Sequence, residues 1–228
     1  MTKEDRMIIF GVNIQSSYKI YRRWWKTMGK NVNTAQKPDK RIAILEATLE
    51  LIAEQGFHNT PTSQIAEKAE IGVGTIYRYF QDKDDLIHKL FEYVIEKENE
   101  DVLREYNPKA PFRERYLYLC ARMIQFAARH PKESSFLEQY FHSPYGLSRR
   151  REDVFKQDQH KPKKPPLAIL FDAAIAQQVI KDLPPYVLGA LTFGPIFELI
   201  RDINAGIVSY DTEMIARAVE ACWDAIKR

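Results

Sequence analysis

Cysteine is scarce: Cys120 and Cys222 are the only two in 228 residues. Two thiols exclude a disulfide-dense secreted scaffold and cannot supply a four-cysteine zinc site. No apolar run reaches the ~18 residues that a membrane-spanning helix needs. The chain has no glycine-rich phosphate loop, no nucleophile elbow and no His-Glu-x-x-His pair. His58, His88, His130, His142 and His160 are scattered without ligand spacing. Period-two alternation is missing beyond a weak stretch at residues 7–14, and there is no internal repeat or low-complexity tract. These absences argue against an enzyme, against stable membrane association and against a β architecture. They call for no cofactor and no metal.

Apolar residues make up 45% and charged residues 29%, the balance of a globular chain of one or two domains with its own core. Two reduced, buried cysteines suit a cytoplasmic protein. The net charge of +3 is unevenly placed. Residues 19–41 hold eight bases against Asp39 alone, a local +7, and residues 1–18 cancel. Residues 42–228 therefore carry −4. A basic front on an acidic body points to a polyanionic partner. Within this 1–37 extension, Tyr18, Tyr21, Trp24 and Trp25 interleave with Lys19, Arg22, Arg23 and Lys26, the composition of an arm that lies on phosphates or an anionic surface. Met28 opens a polar stretch, so an over-extended reading frame over residues 1–27 is the alternative.

From Asp39 onward the pattern is helix after helix. Ile42, Leu45, Leu49 and Ile52 recur at spacings of three and four up to the helix-stopping Gly56. Thr62 or Ser63 offers an N-cap for a short helix over residues 64–69, with Glu67 in reach of capping-box spacing. A turn at Ile71–Gly74 leads to a second short helix over 75–80. Asp82 caps a long helix from Lys83 to about Tyr106. Further helices are expected at about 112–129, 132–141, 148–159, 166–180, 185–205 and 212–226, separated by proline and glycine breakers.

The segment 62–80 followed by Asp82-Lys83-Asp84-Asp85-Leu86 closely resembles the DNA-binding signature of the TetR/AcrR family of bacterial transcriptional regulators. The resemblance implies an all-α fold: a three-helix helix-turn-helix DNA-binding domain over residues 38–86, and a helical ligand-binding and dimerisation bundle over residues 87–228. It implies that Thr75 and Arg78 reach base edges, with Arg78 suited to a bidentate pair on guanine. Thr62, Ser63, Tyr77, Tyr79, Lys83 and Arg41 become phosphate contacts, and Gly74 lets the recognition helix approach closely. Two positions depart from the pattern. Glu70 stands where the family has glycine, at a turn whose left-handed backbone costs a side chain about 1 kcal/mol. Gly72 stands where a hydroxyl residue is common.

For the bundle, Tyr116, Met123, Phe126, Phe136, Tyr140, Phe141 and Phe171 are candidate pocket residues for a hydrophobic or aromatic small-molecule effector. Glu138 and His142, at i and i+4, have the spacing of a weak metal pair or of a surface cap. The resemblance assigns a homodimer surface to the last two helices, with Leu188, Leu191, Ile196, Leu199 and Ile203 as apolar area and Gly189, Ala190 and Gly194 permitting close approach. Pro195 is expected to kink or break the first of them. The implied function is a ligand-responsive repressor that binds a near-palindromic double-stranded operator as a homodimer. The alternative is an effector-independent architectural or cell-division-associated DNA binder.

Overall fold

The computed structural model describes residues 39–147 and 166–228. The expectations for the 1–37 extension and for a helix at 148–159 lie outside these residues. Nine helices are bounded within them: α1 Lys40–Gln55, α2 Thr62–Lys68, α3 Val73–Tyr79, α4 Lys83–Val102, α5 Phe112–Arg129, α6 Pro131–His142, α7 Pro166–Ala176, α8 Pro185–Asn204 and α9 Thr212–Ile226. Only an isolated antiparallel bridge between Ile180 and Lys227 departs from the helical pattern among the described residues. The fold is all-α, as the sequence implies.

Local chemistry sets the boundaries. Asp39 accepts the Arg41 backbone N–H at 2.9 Å, and Asp82 accepts that of Asp85 at 2.7 Å, so a carboxylate caps α1 and α4. The expected Thr62 or Ser63 cap on α2 is absent. Pro61 takes the N-cap position, and both hydroxyl residues lie in the first turn. Gly72 caps α3 with no side chain to bond, so the hydroxyl missing from the sequence is missing from the structure. Between α2 and α3 the chain closes a left-handed turn. Glu70 has φ 54°, its N–H donates to Glu67 O, and the Ile71 N–H donates to Ala66 O at 2.9 Å.

Three expected helices differ. α4 stops at Val102 rather than near Tyr106, because the backbone tightens into i→i−3 bonds ahead of Pro108. α7 stops at Ala176, where Gln178 adopts φ 58° and turns Ile180 inward to pair with Lys227. α8 runs through Pro195 without a break.

Burial falls into two clusters. The upper one joins Leu45, Leu49, Ile52, Ile65, Ile76 and Phe80 of the first three helices and their edge to Leu86, Leu90, Phe91 and Val94 of α4 and to Phe136 and Tyr140 of α6. Ile42, expected on this stripe, faces solvent. The lower cluster joins Tyr116, Cys120 and Ile124 of α5 to Phe171, Leu188, Ile196, Ile215 and Trp223. Both cysteines are free and buried, and burial pushes the Cys120 thiol up to about 12.

Polar bonds weld α6 to α1. Gln139 Nε2 donates to Ile52 O at 3.0 Å, and Ser135 Oγ donates to Ala53 O. Glu50 of α1 accepts from Lys132 of α6 and pairs with Lys68 of α2 at 2.8 Å. Hydrogen bonds from Lys132 and then Lys68 hold the Glu50 carboxyl down at about 2.

Two stability outcomes follow. Glu70→Gly relieves a side chain in the left-handed region and should raise stability by about 1 kcal/mol, read as a higher denaturation midpoint. The Glu50 carboxyl is depressed in the folded state, so its contribution is full above pH 4.5 and fades as pH falls toward 2. Its partners are partly exposed, which limits that contribution to about 0.5–1 kcal/mol. Glu50→Gln should lower the urea midpoint at pH 7 and converge with the parent as pH falls to about 2 and below.

Candidate nucleic-acid interface

α3 buries only Ile76 and turns the rest of its surface outward. Val73, Gly74, Tyr77, Arg78 and Tyr79 are exposed, and Thr75 is half-buried. Tyr77 keeps 50% and Tyr79 44% of its surface in solvent, so neither ring serves the core. Arg78 makes no ion pair or hydrogen bond with the described residues, leaving all five N–H donors available. A Cβ at Gly74 would meet nothing within 4 Å. No packing inside the subunit demands glycine there, so its smallness matters only to something arriving from outside. Phe80 closes the helix from below and is buried.

The start of α2 converges on this face. The Thr62 hydroxyl lies 3.4 Å from the Tyr77 hydroxyl, joining two expected phosphate contacts into one hydroxyl pair. Ser63 is exposed beside it. Arg41 lies at the entrance to α1 with its guanidinium 5.7 Å from the Phe80 ring centroid, stacked over the edge of the same domain. Lys83 is placed differently from its expected role. Its Nζ donates to Phe57 O at 2.9 Å, tying the start of α4 to the turn after α1. That bond makes Lys83 a positioning residue in this structure. Val73 was not singled out from sequence: its exposure, 40%, adds an apolar contact to the outward face and shows only once α3 is placed.

The seven pocket candidates fall in different parts of the packing among the described residues. Phe136 and Tyr140 are fully buried in the upper cluster, with Phe141 packed half-buried against it. The Tyr140 ring stacks on Phe91 at 4.2 Å, and its hydroxyl lies 3.0 Å from His88 Nδ1. Tyr116 and Phe171 belong to the lower cluster. Phe126 is buried in neither cluster and stacks on His130 at 4.4 Å, while Met123 is half-buried. Aromatic excess marked core at Phe136 and Tyr140 because α6 packs beneath the helix-turn-helix. An open groove of about 530 Å³, lined by Asp172, Ile175, Asp182, Leu183 and Pro184, includes none of the seven. His142 Nδ1 sits 2.8 Å from the Glu138 backbone oxygen, and the described residues contain no cluster of three metal-ligating side chains.

α8 turns two residues of the expected dimer face, Leu188 and Ile196, into the subunit's own core. Leu188 and Ile196 are buried within the subunit, and Leu191, Leu199 and Ile203 pack partly buried against the same cluster. The outward face is instead Tyr186, Ala190, Gly194 and Phe197, half a helical turn away. Tyr186 is 78% and Phe197 46% exposed.

The profile described as "Bacterial regulatory proteins, tetR family" matches residues 44–90, and that described as "Tetracyclin repressor-like, C-terminal domain" matches residues 111–227. The chain belongs to the TetR family. It is a transcriptional regulator with a helix-turn-helix DNA-binding domain. A TetR-family transcription regulator of Marinobacter aquaeolei VT8 superposes with a TM-score of 0.69 at 26% identity, over 82% of this chain and 95% of that one. An HTH-type transcriptional regulator of Haemophilus influenzae is 24% identical over 200 residues, covering 84% of this chain and 98% of its own length. The fatty acid metabolism regulator protein of Bacillus subtilis is 41% identical over 71 residues, and this chain spans only 37% of its length. No helix among the described residues is long and apolar enough to cross a membrane.

Tyr77→Phe removes one hydroxyl of the Thr62–Tyr77 pair and should weaken binding to every DNA sequence alike, by severalfold. Arg78→Ala should instead lose about 1–3 kcal/mol of discrimination at particular base pairs. Binding of both variants to a panel of single-base operator changes separates the two effects. Uniform loss for Arg78→Ala would refute its base-reading role.

Proposed function

We propose that this TetR-family chain is a repressor that binds a near-palindromic operator as a homodimer and is released by a small hydrophobic or aromatic effector, acting in the cytoplasm. Residues 38–86 are the DNA-binding part and residues 87–228 the effector-binding and dimerisation part. The observation that carries the reading is the outward face of α3. A guanidinium with no partner among the described residues, two exposed phenols and a glycine with open space beside it have no evident use in the subunit's own packing. In the major groove they have one. Arg78 and Thr75 face base edges, while Tyr77, Tyr79, Thr62 and Ser63 hold phosphates.

The dimer reading rests on α8. Tyr186 and Phe197 present apolar area, and a Cβ at Gly189 or Gly194 would meet nothing within 4 Å. Small residues beside exposed aromatics let a second helix approach closely across a two-fold axis. Two copies then set their α3 helices about 34–36 Å apart, or a multiple of that, to match successive turns of DNA. α4 joins the two halves as one unbroken helix. An effector that favours a different α4 setting changes that spacing, with a typical coupling of ~1–3 kcal/mol.

Selection of the full chain against random DNA at two salt concentrations should return a near-palindrome with strong salt dependence. Binding without a motif would overturn the operator reading. Phe197→Asp should shift the protein toward monomer in sedimentation and reduce operator affinity at least tenfold. A Phe197→Asp variant that stays dimeric would place the interface elsewhere.

A further inference from the structure

The inward stripe of α8 carries a hydroxyl where an apolar side chain is due. Leu188 and Ile196 are buried in the lower cluster, and Thr192 stands one turn from each of them, 1% exposed. Its Oγ1 has no hydrogen-bond partner. A buried helical threonine can bond back to its own helix, as Thr48 Oγ1 does by donating to Ile44 O at 2.6 Å. Thr192 makes no such bond. On α5, Tyr116 belongs to the same cluster and is 3% exposed, and its hydroxyl is also without a partner.

Among the described residues these are the only buried hydroxyls left without a partner, and they are neighbours. α5 and α8 pack against each other. The Thr192 hydroxyl lies near enough to Tyr116 to oppose the upward push of burial on its phenol, yet beyond hydrogen-bond reach. An orphaned buried hydroxyl costs stability and calls for an explanation. Two orphans on packed helices are satisfied together by one oxygen placed between them.

The surroundings select the chemistry of that oxygen. Tyr116 packs among rings, with Trp223 at 5.5 Å and Phe112 at 6.2 Å between centroids. The polar groups that bear on its hydroxyl are Thr192 and the thiols of Cys120 and Cys222. Burial keeps both thiols protonated and pushes that of Cys120 up to about 12. An ion buried among these groups would find no counter-charge, whereas a neutral oxygen needs none. The open groove beside α7 flanks the same layer. Its lining residues Ile175 and Leu183 pack against the lower cluster, and Pro185 at its edge shares a face of α8 with Leu188 and Thr192, about 10 Å from Thr192 along the axis.

We infer that Tyr116 and Thr192 are the polar anchors of the effector site, and that the effector carries an uncharged carbonyl, as in a ketone, ester or amide, on an apolar body. This rests on the effector reading above. A carbonyl oxygen has two lone pairs and accepts from both hydroxyls at once. The apolar body extends along α8 toward the groove, a distance that a chain of moderate length spans.

The test uses the full chain and three probes of one length with three heads: 2-octanone, octanoate and octylammonium, followed by titration calorimetry. The ketone should bind at least tenfold tighter than either ion. Tyr116→Phe and Thr192→Val each remove one hydroxyl at nearly constant volume. Each should weaken ketone binding severalfold, and the double variant should abolish the preference. Without probe, neither variant should lower the denaturation midpoint, because each removes an orphan rather than a bond. In a Trp24→Phe, Trp25→Phe background, Trp223 is the sole tryptophan, and its emission should shift as the ketone saturates. Lower midpoints with unchanged ketone binding would assign the hydroxyls to a structural bond and overturn the proposal. Equal binding of all three probes, no binding of any, or an unmoved Trp223 emission would also overturn it. So would a preference for octanoate, which would point to Arg115, whose buried Nε has no acceptor. The probe comparison on the parent stands even if a variant fails to fold. Ketone binding that leaves operator affinity unchanged would instead overturn the effector reading and leave the site intact.

Discussion

The helix-turn-helix does not own its core. Its three helices are too short and too few to bury enough apolar surface alone, since a unit of about 45 residues lies near the lower limit for independent folding. The structure meets this constraint by sinking α4 and α6 beneath it. Phe136 and Tyr140 fill the floor of the domain, Phe91 stacks on Tyr140, and Gln139 caps the end of α1. The orientation of α3, and with it the Arg78 face, is therefore held from below by helices that lie far along the chain.

That arrangement also defines how a signal travels. The upper cluster is continuous from Ile65 and Ile76 through Leu90 to Tyr140, so the reading head, the first half of α4 and α6 move as one packed body. The lower cluster gathers α5, α7, α8 and α9. Past Val94, α4 is held by ion pairs instead: the Asp101 grip of Arg122 and Arg129, and the Lys97–Glu133 pair. Apolar cores resist gradual deformation, whereas a layer of ion pairs has discrete alternative pairings. The seam between the clusters is where a small change in charge has the most leverage.

Much of this was legible in the sequence because it depends on local chemistry. Breakers at Gly56, Pro131 and Pro185, the Asp82 cap, and the Thr62–Leu86 spacing placed the starts of the described helices to within about two residues, whereas α4 and α7 end about four residues before their expected ends. The strained turn at Glu70 and the uncapped Gly72 were visible as departures from the family pattern. What failed was phase and partner. α8 is apolar on two faces, and periodicity alone does not say which meets the subunit's own core. Leu188 and Ile196 went inward, leaving Tyr186 and Phe197 outside. Aromatic richness at Phe136 and Tyr140 suggested a pocket because nothing local reveals that α6 docks on α1, some 80 residues earlier.

The docking of α6 has a consequence for exchange between relatives. Two sequence profiles divide the chain at about residue 100, and the division suggests interchangeable reading and sensing modules. Physically the seam runs elsewhere. A crossover there would graft a foreign α6 under this head and replace Phe136, Tyr140 and Gln139 together. Viable chimeras must carry α6 with the head, or keep those three side chains in the incoming half. Recombination in such proteins is thus constrained by a floor that is encoded in the other module.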